Sequence, residues 1–225
     1  MNNKGKAAGK SILGLIFLAV FIGFYFVSAI INLVHISNSQ KLASDSAKAP
    51  QKGDYVDAEY HIGSGQLLEV KHSISHIIPT GKEYYYLVCN DNSDYAIFVR
   101  AGKDFGDNFK DNYSEEAVKV KGKVREMDHD VHNELFSIAK EFTASNIKVP
   151  SGSNKLVYID TLTGTQSILR ILAPVLFLIG AVIIVVSAKS KVNSPVEVQP
   201  KAPGIVALVL IIGSICLMIY TLSYM

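Results

Sequence analysis

The chain has 225 residues, a formal net charge of only +2 and 49% hydrophobic residues, and those apolar residues gather in three long runs instead of a periodic core pattern. Such a charge balance lacks the domain-wide basic footprint of a nucleic-acid binder. Two cysteines, Cys89 and Cys216, the second inside an apolar run, leave no disulfide framework to hold a small domain together.

Residues 1–10 form a leader with Lys4, Lys6 and Lys10, expected to be cytoplasmic, and the uncharged run that follows extends over residues 11–34. It exceeds the roughly 20 apolar residues that a helix needs to cross a hydrocarbon layer. A cleaved secretory signal is the competing reading, because Ala47-Lys48-Ala49 has the small-x-small form of a cleavage site. The run is too long for a signal's apolar region and the Ala-Lys-Ala lies too far beyond it, so residues 11–36 read as an uncleaved first transmembrane helix. SNSQKLASDSAKAPQK, residues 37–52, has no apolar period and reads as a linker.

Residues 53–167 read as one folded, strand-rich domain. DYVDAEYH sets Val56, Ala58 and Tyr60 against Asp57, Glu59 and His61, and Gly63-Ser64-Gly65 leads into QLLEVKH, which predicts two strands joined by a tight turn. EYYYLVC and YAIFVR, separated by residues 90–94, predict a hairpin entered through Pro79-Thr80-Gly81. DFGDNFKDNY has room for a short helix. VKVKGKVREM then places Lys119, Lys121, Lys123 and Arg125 on one face of a strand and Val118, Val120 and Val124 on the other, balanced by acids such as Glu115, Glu116 and Glu126. Gly122 is the expected bulge or bend that closes a small barrel. Asp130 is expected to cap a helix whose stripe is Val131, Leu135, Ile138, Ala139 and Phe142, and LVYID makes the last strand. The fold class is α+β, a small OB-like β-barrel of five or six strands carrying one or two helices.

Residues 168–188 and 203–225 are the second and third transmembrane candidates, joined by a loop at 189–202 with Lys189, Lys191 and Lys201. Loops rich in Lys and Arg stay in the cytoplasm, so the N-terminus and this loop belong there, while residues 37–167 and the C-terminus fall outside the cell membrane. The outward segment holds 15 Lys plus Arg against 19 Asp plus Glu, a net of −4. No ionisable group lies within the apolar runs, Arg170 is expected to reach water at the outer boundary, and Gly180 and Gly213 let the second and third helices approach.

An N-terminal anchor, a β-rich domain and two further apolar helices, together with EYYYLV, VKVKGKV and YIDTL, resemble an uncharacterised family of Gram-positive bacterial membrane proteins known only as a domain of unknown function. The resemblance implies an OB-like extracytoplasmic domain. It implies no activity and supplies no catalytic residue.

MDHDVHNE gathers Asp128, His129, Asp130, His132 and Glu134 at a helix start, an oxygen and imidazole set that suits a divalent metal, although its spacing matches no zinc pattern and acids also suit a helix N-terminus for its dipole. His72 and His76 lie four apart without an HExxH pattern, and neither a nucleophile elbow nor a phosphate-cradling loop is present. Tyr84, Tyr85 and Tyr86 put two rings on one strand face and one on the other, with one exposed ring expected. The chain therefore reads as a non-enzymatic, membrane-anchored binding module of the cell envelope, with no cofactor and no nucleic acid. Its expected contact surface is Tyr84, Tyr86, Arg100, Lys119, Lys121, Lys123 and Arg125. Its expected partners are the lipid bilayer and an envelope protein, or further copies through the transmembrane helices. The alternatives are a metal-dependent enzyme or metal handler using His129, Asp130 and His132, and a ligand sensor coupled to a membrane partner.

Overall fold

A computed structural model describes residues 22–41, 49–74, 78–90, 94–144, 146–152, 154–193 and 202–222. They divide into two compact units, Val34–Thr165 and, separately, Met1–Leu33 with Gln166–Met225.

The first unit is built on seven strands: β1 (Gln40–Lys41), β2 (Tyr55–Gly63), β3 (Leu68–Ile74), β4 (Ile78–Cys89), β5 (Ala96–Ala101), β6 (Tyr113–Glu126) and β7 (Val157–Asp160). Their order is β1-β2-β6-β7-β5-β4-β3, and a further pairing of Ile62 and Gly63 with Cys89 and Val88 joins β2 to β4. That pairing closes β2, β4, β5, β7 and β6 into a five-stranded barrel, antiparallel everywhere except between β5 and β7. The alternating residues of β2 and β6 face inward as the period of two dictates, with Val56, Ala58, Tyr60, Val120 and Val124 meeting Tyr86, Val88, Ile97, Val99, Val157 and Ile159.

A second apolar layer covers the outer side of β4, β5 and β7. Helix α2 (His129–Ala144) lays Val131, Leu135 and Ala139 against Tyr85, Leu87, Phe98 and Tyr158, with Ile138 and Phe142 at the margin. The stripe is the predicted one. The helix begins one residue before Asp130, which therefore sits in its first turn and not at its cap. A 3-10 helix at Lys103–Asn108 fills the place foreseen for a short helix.

Three local expectations change. QLLEVKH does not turn back on β2; the amide of Ser64 donates to Leu87 O and that of Leu67 to Tyr85 O, so the chain runs on along β4, and β3 pairs with the first half of that strand. Pro79-Thr80-Gly81 lies inside β4, where a register irregularity opposite His72 and Ser73 absorbs the proline. Within the expected linker, Gln40 and Lys41 pair with β2 and Ala49 packs on the barrel core.

Gly122 keeps the regular register opposite Val56, so it is no bulge. Its lack of a side chain matters for another reason, because a Cβ there would lie 2.7 Å from the Asp160 carbonyl carbon. β6 passes from β2 to β7 at this point, and only a glycine lets the two backbones come so near.

The second unit contains most of α1 (Ile22–Ser37) and α3 (Thr163–Asn193), and all of α4 (Ala202–Leu222). Among the described residues one stretch, Thr163–Ile184, is long and apolar enough to cross a membrane, with a mean hydropathy of 2.5; Ile22–Ser37 and Ile205–Thr221 are shorter apolar helices. Gly180 packs closely on α4, where a Cβ would come 2.8 Å from Ile211, whereas nothing lies within 4 Å of the corresponding point at Gly213. Arg170 is buried and does not reach outward: its Nη2 donates to Thr221 O at 3.2 Å, and the Thr221 hydroxyl meets that of Tyr25. The helices thus do contain an internal ionisable side chain, and it is tied into their packing.

Candidate functional site

The alternation of β5 places Arg100 on the same outer side as Phe98, beside Asp160 of β7 and Glu83 of β4. All three are buried. Arg100 Nε donates to Asp160 Oδ1 at 3.1 Å and Nη2 to Asp160 Oδ2 at 2.6 Å, while Nη1 reaches Glu83 Oε1. Glu83 also accepts from Tyr85 Oη at 3.0 Å and has His72 Nε2 at 3.3 Å. Asp160 further pairs with Arg125 Nε at 3.0 Å, then accepts from the Leu162 amide at 3.0 Å and the Thr163 hydroxyl at 2.7 Å. Two arginines and two carboxylates neutralise one another, and the second carboxylate also fixes the start of α3. Such a network anchors a junction; its charges face each other and leave no open position for a substrate.

Burial opposes the charge on Arg100, yet Asp160 and Glu83 outweigh it and hold the guanidinium protonated above its ordinary range. Burial raises Tyr60 and Tyr85 as well, and pushes Tyr158 up to about 12, partly offset by Arg100. An unfolded chain ionises these phenols near 10, so between pH 10 and about 12 it sheds protons that the folded barrel keeps. The contribution of these three phenols to stability is therefore expected to be constant up to about pH 10 and to fall above it. Tyrosinate absorbance followed together with circular dichroism reads both events. The three buried phenols should ionise only as the barrel unfolds, and reversible ionisation of every tyrosine near pH 10 in an intact barrel would contradict this.

The basic row of β6 does face outward, but it is not bare. Register sets Lys121 opposite Asp57 and Lys119 opposite Glu59. Asp57 lies 3.4 Å from Lys119 Nζ and 3.5 Å from Lys121 Nζ, and Lys123 Nζ sits 5.0 Å from the centre of the Tyr55 ring, itself stacked on His35. The balancing acids are thus Asp57 and Asp160, reached across strands, in place of the neighbours Glu115 and Glu116. Glu126 pairs with Lys52 at 2.5 Å.

Lys119 and Lys121 form one wall of an open cleft of about 570 Å³, whose other lining comes from Ala101, Gly102, the 3-10 helix residues Lys103, Asp104, Phe105 and Asn108, and Thr161. Phe105 packs on Tyr86 with ring centres 5.0 Å apart, so the floor of the cleft rests on the barrel core. The cleft has cations, an apolar floor and an open mouth. It suits a ligand that carries negative charge and remains partly in solvent.

Of the expected contact residues the structure brings Lys119 and Lys121 into this cleft and leaves Lys123 and Arg125 beside it. Tyr86 and Arg100 must be withdrawn from the surface: they are 1% and 3% exposed, Tyr86 inside the barrel and Arg100 inside the ionic network. Tyr84 is half-buried against the barrel core and Tyr85 lies under the α2 layer, so none of the three rings is fully exposed. Lys103 and Thr161 were missed, because no local pattern links residue 103 to residue 119 or 161.

No group of three or more His, Cys, Asp or Glu side chains is placed to hold a metal among the described residues. His132 Nδ1 accepts from the Leu156 amide at 3.2 Å and its ring packs on Phe136, while His129 and Asp130 are exposed. His76 lies outside the described residues. The fold and site define a small closed β-barrel with a basic cleft, continuous in sequence with an apolar helix. No protein-family profile, curated protein or solved structure matches this chain.

Proposed function

We propose that the chain is a three-span membrane protein that displays an OB-like barrel outside the cell membrane and acts there by binding, without chemistry of its own. The observation that carries the reading is the contrast between the units' surfaces. In the helical unit large apolar side chains point outward along all three helices, with Phe24, Leu178 and Val209 more than 60% exposed. Among the described residues of the barrel and its α2 layer, only Tyr113 and Phe136 are exposed large apolar residues. An apolar exterior of that extent is suited to lipid and not to water. Lys4, Lys6 and Lys10 at one end and Lys189, Lys191 and Lys201 between the second and third runs support an N-terminus and loop in the cytoplasm. The resemblance to Gram-positive membrane proteins is consistent with that placement.

The test is thiol labelling of intact cells with a membrane-impermeant reagent, in a chain with Cys89 and Cys216 replaced by alanine. Glu115→Cys, on the exposed part of β6, is expected to label before lysis, and Gln199→Cys only after it. The reverse pattern would overturn the topology, and equal labelling of both before lysis would overturn the three spans.

A further inference from the structure

We propose that the cleft walled by Lys103, Lys119 and Lys121 holds the phosphodiester of an anionic phospholipid in the leaflet where α3 begins. The proposal rests on the membrane reading above and names the partner of that same site.

Position comes first. Thr161 lines the cleft and the apolar run of α3 starts at Ile168, so the cleft edge and the start of the run are separated by no more than about 15 Å of chain, two extended steps and five helical ones. The polar headgroup zone on each side of a bilayer is about 5 to 7 Å deep. If α3 crosses a membrane, chain length holds that edge of the cleft within about 15 Å of the hydrocarbon, in reach of the headgroup zone.

Charge comes second. Asp57 sits beneath Lys119 and Lys121 and holds both ammoniums at 3.4 and 3.5 Å, which sets them side by side while their side chains stay 57% and 36% exposed. An ammonium has three donors, so each keeps N–H groups for a further acceptor. Lys103 also lines the cleft, and Asp104 beside it is the one carboxylate among the lining residues. The lining itself carries three cations and one carboxylate, an excess of positive charge of the sign that a phosphodiester requires. The half-buried ring of Phe105 gives an apolar contact for the glycerol carbons.

A free phosphate is the weaker candidate. The cleft is open to solvent, so a small ion gains little there. A lipid is already concentrated at the site by the bilayer that holds it.

The experiment uses the full chain purified in a neutral detergent, with retained lipid counted by native mass spectrometry. Phosphatidylglycerol and phosphatidylcholine are added at equal mole fractions, and the soluble glycerol phosphodiester headgroup serves as competitor. Wild type is expected to retain phosphatidylglycerol over phosphatidylcholine, and Lys103→Gln/Lys119→Gln/Lys121→Gln to retain it about tenfold less. Lys140→Gln/Lys148→Gln, exposed lysines outside the cleft, should bind as wild type does. Circular dichroism confirms that each variant folds. Equal retention by the triple variant, an equal loss in the Lys140/Lys148 variant, or no preference between the two lipids would overturn the proposal. Displacement of the lipid by its free headgroup at equal concentration would also overturn it, in favour of a soluble phosphate ligand. Micelles have no sidedness, so an inverted labelling pattern leaves this result standing, and failure here leaves the topology standing.

Discussion

Arg100→Met is expected to cost the barrel about 3 to 5 kcal/mol, the range for removing one partner of a buried ion pair. The reason is what stays behind. Glu83 on β4 and Asp160 on β7 are buried carboxylates on the two strands that flank β5, and Arg100 of β5 reaches both. Asp160 keeps Arg125, the Leu162 amide and the Thr163 hydroxyl, so the greater exposure to loss falls on Glu83, left with Tyr85 and His72. The double variant Glu83→Leu/Arg100→Met should recover a large part of the loss, because it deletes the stranded charge together with its partner. Urea unfolding of the full chain in detergent, read by near-ultraviolet circular dichroism, measures both. A single variant that unfolds at the wild-type midpoint would show that the network contributes nothing to the barrel.

Gly122→Ala should cost about 3 kcal/mol or more, the upper end for overpacking. The new Cβ would overlap the Asp160 carbonyl, which is backbone and has no rotamer to escape into, and it would press on Ile159 Cγ2 at 3.1 Å. Gly152 provides the control. A Cβ at that position also meets neighbouring atoms, but they belong to the carboxylate end of Glu126, a side chain paired with Lys52 near the surface. Gly152→Ala should therefore shift a flexible side chain and cost less than about 1 kcal/mol. If the two substitutions prove equally mild under the same denaturant titration, the close approach of β6 and β7 is not what requires glycine at 122.

The parts of the fold legible in the sequence are those set by one element's own period. Val56, Ala58 and Tyr60, the alternation through VKVKGKV and the α2 stripe each announce a buried face locally, and the structure has them there. Which strand lies beside which was not legible, because β2 pairs with a strand nearly sixty residues later and its neighbour in sequence, β3, does not pair with it at all. The same limit explains the misplaced site residues. β5 is buried on both faces, its inner one by the barrel and its outer one by the α2 layer and the ionic network, so alternation along YAIFVR gives no sign that Arg100 points into a second interior. Asp57 lies opposite Lys121 only once the register is known.

β7 has four residues, and it is the only strand that joins β5 to β6. A chain made from its N-terminus therefore finishes β2 to β6 and all of α2 while two strand edges are still open to other chains. Closure waits for residue 160, and α3 begins three residues later. At ordinary synthesis rates these events are separated by roughly 0.15 to 0.6 s. Until that moment the unclosed edges can pair with other chains, and the strand that closes them leaves the ribosome almost together with the start of the next apolar helix.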